Sequence, residues 1–209
     1  MKGKSSDSLQ QTIETYELSL DHYISNTPLK SSGQFKEFID TFLTFVSPTD
    51  EILELGSGTG RDATYCSECG YFVQTSDVVH SFITYMQNEG LHPIFFDALK
   101  TKLEKKFDAI MALAVFLHFD EEQLKRALHI VQDHLKSGGN LALRMKWGTG
   151  EEVIDRKMNG PRYFRYWQPE ELEEILVESG FVILNESNFI DKPDGLADKG
   201  WLQYVAKFN

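Results

Sequence analysis

Seven residues, Glu54-Leu55-Gly56-Ser57-Gly58-Thr59-Gly60, constrain this chain more than any others. They continue a short strand expected at residues 51–55 and precede a stretch, 61–68, that suits a helix. A strand that turns on closely spaced glycines into a helix opens an α/β sheet, and ligands of such sheets sit beyond the carboxyl ends of the strands. Glycines there take positive φ and let the backbone approach a ligand closely.

The rest of the chain agrees. Strands are expected at residues 71–76, 93–96, 107–113 and 140–146, with helices at 61–68 and 79–88 and one beginning at Asp120. Asp120 and Gln123 form a capping-box pair at that helix's start, and Leu124, Ala127, Leu128, Val131 and Leu135 make its buried stripe. Ser137-Gly138-Gly139 is read as its stop, and residues 148–160 as a polar stretch. Pro169 opens a further helix, and strands at 181–189 and 201–208 close the chain around a loop with Pro193-Asp194-Gly195. Alternating strands and helices demand a mostly parallel sheet with helices on both faces, and the last two strands pair as a hairpin at its edge. Ahead of this core, residues 1–47 read as two helices. The first carries the stripe Leu9, Ile13, Tyr16, Leu20, Tyr23 and Ile24; the second carries Phe35, Phe38, Ile39, Phe42, Phe45 and Val46.

The turn also selects a ligand. A dinucleotide fingerprint is Gly-x-Gly-x-x-Gly, whereas this turn is Gly-x-Gly-x-Gly with Asp62 beyond it. Glu54 stands two residues before the first glycine, where an anion repels a pyrophosphate but holds an ammonium group. Asp77 ends the second strand and is placed to accept both hydroxyls of a ribose. Adenosine, an amino acid and no phosphate together describe S-adenosylmethionine.

With those residues in hand, the chain from 51 to 208 resembles a class I S-adenosylmethionine-dependent methyltransferase of the small bacterial type. Residues 54–62 resemble the family's first motif, Thr75-Ser76-Asp77 its ribose-binding strand end, and Phe96-Asp97-Ala98 its adenine contact. Phe107-Asp108-Ala109-Ile110 with Leu117-His118-Phe119 resembles the fourth strand and its exit, and residues 135–141 resemble the turn before the fifth, with Ser137 in place of proline. The resemblance implies a Rossmann-like seven-stranded sheet in the order 3-2-1-4-5-7-6, strand seven antiparallel, with an N-terminal helical lid. It implies cofactor contacts from Glu54, Gly56, Gly58, Gly60, Arg61, Asp77, Val78, Asp97, Ala98, Ala112 and Leu113.

His118 is the candidate catalytic residue, as a proton acceptor or a donor to substrate; the alternative is a histidine that orients its loop. Residues 144–165 hold six basic and three acidic side chains in a chain of net charge −11, an island suited to an anionic acceptor or simply a solvated loop. Lys146, Arg162 and Tyr163 are the candidate substrate-binding residues there, with Arg165 also near the expected rim; pairing of Arg162 with Glu170 or Glu171 is the alternative. Asp108 is expected to act structurally, at the far end of its strand. Cys66 and Cys69 read as reduced cysteines on a helix, and no metal site is expected.

At 209 residues and 24.0 kDa the chain has length for one domain, with 1–47 as an extension of the 50–209 core. The acidic balance disfavours nucleic acid as a partner. Residues 1–10 are polar and the longest apolar run is 109–117, so a cytoplasmic protein without membrane contact is expected. The expected function is methyl transfer from S-adenosylmethionine to an O, N or S atom of a small molecule, by a monomer or homodimer. The alternatives are a non-catalytic binding protein and a methyltransferase acting on tRNA or protein; the fourth strand ends Met111-Ala112-Leu113-Ala114, without the Asn-Pro-Pro-Tyr-like motif of base and amide methylators.

Overall fold

The computed structural model describes residues 3–155, 158–190 and 200–209. The chain opens with α1 (Gly3–Leu18), α2 (Leu20–Asn26) and α3 (Gly33–Leu43), then enters β1 (Ile52–Glu54). Next come α4 (Arg61–Glu68), β2 (Val73–Asp77), α5 (His80–Asn88), β3 (Ile94–Phe95) and β4 (Phe107–Leu113). A 3-10 turn at Phe116–His118 leads to α6 (Glu121–His134) and β5 (Leu135–Trp147). The chain closes with β6 (Glu151–Ile154), β7 (Arg162–Arg165), α7 (Pro169–Glu178), β8 (Phe181–Glu186), β9 (Phe189–Ile190) and β10 (Gly200–Phe208).

The main sheet runs β3-β2-β1-β4-β5-β10-β8, with β9 paired to β10. Strands β3, β2, β1, β4 and β5 pair in parallel, while β10 is antiparallel to both β5 and β8. This is the order 3-2-1-4-5-7-6 expected from the sequence. Helix α6 starts on the expected capping box, Gln123 N–H donating to Asp120 Oδ1 at 2.8 Å and Asp120 N–H to Gln123 Oε1 at 3.0 Å. Pro169 opens α7 at its first turn, where a missing N–H costs nothing.

Side-chain alternation splits the core. Leu53, Ile110, Leu141, Leu143 and Tyr204 face α6 and α7, and Ile52, Ala109, Met111, Ala142 and Val205 face α3 and Cys66 of α4. Helix α3 therefore completes the sheet's second face, with Phe38, Ile39 and Phe42 almost fully buried. Asp108 holds the bottom of β4, accepting from Glu51 N–H at 2.9 Å and pairing with Lys136 at 2.8 Å. Cys66 is buried and Cys69 exposed, both free. No helix among the described residues is long and apolar enough to cross a membrane.

Four sequence expectations need correction. The first segment is two helices, α1 and α2, separated at Ser19, so three helices precede β1. Its apolar stripe is only half-buried: Leu9 packs on the edge of the main core, and Leu9, Ile13 and Tyr16 face a cavity, while Thr12, Thr15 and Ser19 are the buried residues. Ser137-Gly138-Gly139 is no stop, because β5 already begins at Leu135 and carries these residues in an irregularity of its pairing with β4. The polar stretch 148–160 contains β6, which pairs antiparallel with β7 as a separate hairpin. The loop at Pro193-Asp194-Gly195 lies outside the described residues, as do Arg156 and Lys157 of the basic island.

These packing differences predict opposite responses. Phe42→Ala removes a ring that is 0% exposed and should cost about 3–5 kcal/mol in urea denaturation. Deleting residues 1–27 should leave one cooperative unfolding transition, since α2 buries no residue and the buried side chains of α1 are the polar Thr12 and Thr15. Loss of cooperative unfolding would show that α1 and α2 belong to the core.

Candidate active site

A cavity of about 1480 Å³ opens at the carboxyl ends of β1, β2, β4 and β5 and is roofed by α1. Its floor is the turn after β1. Gly56 and Gly58 have φ of 64° and 57°, and a Cβ on Gly56 would come within 2.5 Å of Val115. Side chains are thus excluded, and the backbone itself forms the wall. Asp77 fixes this turn from the next strand. Its Oδ2 accepts from Gly58 N–H and its Oδ1 from Val79 N–H, both at 2.9 Å. The carboxylate is buried, and that burial raises it to about 6 against the pull of those N–H donors. Each oxygen keeps a further lone pair for a hydroxyl of a ligand.

Glu54 lies beneath the turn at 2% exposure, and its Oε2 has no hydrogen-bond partner. Burial, then the negative charge of Asp62, pushes it to about 8. Asp62 itself is held by Arg61, with Nε–Oδ1 2.8 Å and Nη2–Oδ2 2.9 Å, and receives the Ser31 hydroxyl. The backbone cradle and the hydroxyl-accepting Asp77 fit an adenosine ligand, and the donor-free edge of Glu54 lies beneath the turn, outside the cavity lining, where it suits a bridged rather than a direct contact with an ammonium group. Asp97, Ala98 and Val78 line the far end of the same cavity.

The opposite end has another character. His118, Arg162 and Phe164 face Tyr16 of α1 across it. His118 Nδ1 lies 2.6 Å from the Tyr163 carbonyl, which only accepts, so Nδ1 carries the hydrogen. Nε2 then accepts from the Tyr16 hydroxyl at 3.1 Å, and Arg162 Nη1 donates to that hydroxyl at 3.1 Å. Burial, with Arg162 adding to it, lowers His118 to about 4, so the ring is neutral. Arg162 is 9% exposed, its Nε has no partner, and no carboxylate among the described residues pairs with it. Lys146 reaches the cavity beside Trp201, its Nζ 3.6 Å from the ring centre.

Most residues singled out from sequence meet here, but not all. Gly56, Gly58, Arg61, Asp77, Val78, Asp97, Ala98, Leu113, His118, Lys146 and Arg162 line the cavity. Gly60 does not, because it caps α4 and faces Met86 and Leu91, and neither does Glu54, which is buried beneath the turn. Ala112 points into the core on the α6 side of β4. The ring of Tyr163 points away, since alternation on β7 sends Arg162 and Phe164 inward; Tyr163 contributes its carbonyl instead. Arg165 is tied to Glu171 at 2.6 Å and Glu151 at 3.2 Å, away from the rim, and the expected alternative of a surface pair for Arg162 is not found. The sequence reading missed Phe164, Trp201 and Ala114 as wall residues. Ala114 has φ 64°, which a non-glycine residue adopts only under outside constraint, and nothing in its identity signals this.

Residues 29–186, well over half of the chain, match the model of a family described as a methyltransferase domain. A protein described as a probable S-adenosyl-L-methionine-dependent methyltransferase TehB, from Haemophilus influenzae (strain 10810), is 26% identical over 100 residues, covering 45% of this chain and 35% of the relative. The match thus spans about a third of that relative's length. Among solved structures, an S-adenosylmethionine-dependent methyltransferase from Methanosarcina mazei superposes with TM-score 0.71 at 16% identity, covering 80% of this chain and 96% of the other. The Burkholderia thailandensis 1,6-didemethyltoxoflavin-N1-methyltransferase, solved with 1,6-didemethyltoxoflavin and S-adenosylhomocysteine, superposes with TM-score 0.66 at 19% identity, covering 83% and 77%.

The state of Glu54 makes the ammonium fit measurable. Because its folded value of about 8 exceeds the ordinary 4.5, the folded chain holds a proton that the unfolded chain releases between those values. The stability from this group is full below about 4.5 and is lost as pH rises through about 8. An ammonium ion placed at Glu54 should expel that proton. Calorimetry of S-adenosylmethionine binding at pH 7, in buffers of different ionisation heat, should show proton release that fades by about pH 9 and is absent in Glu54→Gln. Equal release by the variant would put the proton elsewhere.

Proposed function

The chain belongs to the methyltransferase-domain family, and on that premise we propose that it transfers the methyl group of S-adenosylmethionine to an O, N or S atom of a small anionic molecule. The observation that carries the cofactor is Asp77, buried at the end of β2 and joined to the glycine turn through Gly58 N–H. Its carboxylate receives the ribose hydroxyls, Asp97 and Ala98 border the adenine, and Glu54 answers the ammonium group. When bound, the cofactor supplies a methyl group on a sulfonium, already a good electrophile, so the protein's work is alignment and exclusion of water.

The acceptor reading rests on Arg162. A buried guanidinium with an unpartnered Nε facing a cavity favours an anionic group, which it holds by charge-assisted hydrogen bonds. Lys146 adds positive charge elsewhere on the cavity wall, beside Trp201. The roof formed by α1 keeps water from the reacting atoms.

Two substitutions separate the halves. Asp77→Ala should weaken S-adenosylmethionine binding roughly ten- to a hundred-fold by calorimetry, the equivalent of about 1.5–3 kcal/mol for hydrogen bonds to a charged group. Tight binding of NAD, with no heat from S-adenosylmethionine or S-adenosylhomocysteine, would overturn the cofactor. Arg162→Ala should leave cofactor affinity within about three-fold and lower transfer of labelled methyl groups into a fractionated extract by about ten-fold or more. Undiminished transfer at both low and high salt would remove Arg162 from the acceptor site.

A further inference from the structure

Tyr16 occupies a position that the cofactor and the anion anchor do not explain. It is carried by the roof helix α1, yet its hydroxyl sits between Arg162 Nη1 and His118 Nε2, 3.1 Å from each. Its ring packs against Tyr23, Phe82 and His118, with centroids 5.9, 5.9 and 5.6 Å away. Tyr23, which it packs against, sits over Gly58 of the first turn on the cofactor side. Tyr16 therefore stands where the two ends of the cavity meet.

The hydrogen bonds there have one direction. Tyr163 carbonyl takes the Nδ1 hydrogen of His118, so Nε2 takes the hydrogen of Tyr16, and Tyr16 takes a hydrogen from Arg162. A phenol oxygen donates once and has two lone pairs, so one acceptor position of Tyr16 remains for a hydrogen arriving from the cavity.

We propose that Tyr16 and His118 form a proton-exit wire, assembled by the closed α1 helix, for an acceptor that loses a proton on methylation: a hydroxyl, thiol or amine rather than a carboxylate. This deepens the proposed methyl transfer and rests on it. The acceptor's X–H donates to Tyr16 Oη. As X gains the methyl carbon and the sulfonium becomes a thioether, the X–H proton passes to Tyr16 Oη and the Tyr16 proton passes to His118 Nε2. Arg162 steadies the charge on the phenol oxygen during the exchange. The imidazolium then returns its extra proton to water when α1 lifts. A neutral resting imidazole with its lone pair on the Tyr16 hydroxyl is ready to accept, and because burial beside Arg162 disfavours the imidazolium, the ring holds the extra proton only until it reaches water. The charged and titratable groups that act on Tyr16 or His118 are Tyr23 of α2, Asp77 of β2 and Arg162 of β7.

Nitrogen-15 NMR of histidine-labelled protein, free and with S-adenosylhomocysteine, tests the wire without an assay. In both states His118 should carry its hydrogen on Nδ1, with Nε2 shifted by the bond from Tyr16. Tyr16→Phe, which keeps the ring packing, should move Nε2 toward the free lone-pair position and raise the His118 titration by about one pH unit. In the second arm, labelled methyl transfer from S-adenosylmethionine into a fractionated extract should fall about ten-fold or more in Tyr16→Phe, with the KM for S-adenosylmethionine within three-fold. Wild-type turnover should slow about two-fold in heavy water, and the variant should lose that sensitivity. An Nε2-protonated tautomer, transfer within two-fold of wild type in Tyr16→Phe, or labelled product only as methyl esters would each overturn the wire. So would S-adenosylhomocysteine binding without transfer in any fraction. Failure of S-adenosylhomocysteine to bind would instead overturn the methyltransferase reading, and the free-protein spectrum would still decide the His118–Tyr16 geometry.

Discussion

The grip of Asp77 on the backbone of the first turn is the contact on which the rest of the site depends. One carboxylate, at the end of β2, receives an N–H from the turn after β1 and an N–H from its own strand's exit. It thereby sets the spacing of two neighbouring strand ends and holds Gly58 in a left-handed conformation. Burial works against this anion, and the two amides offset part of that cost. Everything on the cavity floor inherits its position from this bond, including the cradle that Val115 and Tyr23 close from above.

Electrostatics divide the cavity into unlike halves. The Glu54–Asp62 side concentrates acid beneath the turn, relieved by Arg61 and by a proton on Glu54. The β7 side holds the buried Arg162, with no carboxylate paired to it among the described residues. A cationic group is favoured on the first side and an anionic one beside Arg162.

The parts legible in the sequence were those set by local chemistry. The glycine turn, Asp77 at its strand end, the Asp120 capping box and Pro169 at a helix start each depend on neighbours within a few positions. The strand order also followed, because the family resemblance supplied what periodicity alone leaves open. What was illegible depended on parity or on cavities. Residues 151–154 alternate weakly, with Val153 59% exposed, so the β6–β7 hairpin left little pattern. On β7 a one-residue choice of face separates Tyr163 from Phe164, and a two-residue period does not say which face is inward. The stripe of α1 misled for a different reason. Leu9, Ile13 and Tyr16 avoid bulk water by facing a ligand cavity, and the threonines behind them are buried because they bond to backbone.

That last feature has a thermal consequence. Thr15 donates to the Pro161 carbonyl at 2.8 Å, and the Tyr163 N–H donates to Thr12 at 3.0 Å. Parting α1 and α2 from the body would exchange each bond for one with water, but it would also bare the packed rings of Tyr16, Tyr23 and Phe82 and the core surface under Leu9. Heat-capacity change follows newly hydrated apolar area, so such a parting would carry a positive one, smaller than that of unfolding the sheet. Its free energy would therefore curve with temperature in the same sense as the sheet's, and cold as well as heat would weaken the roof.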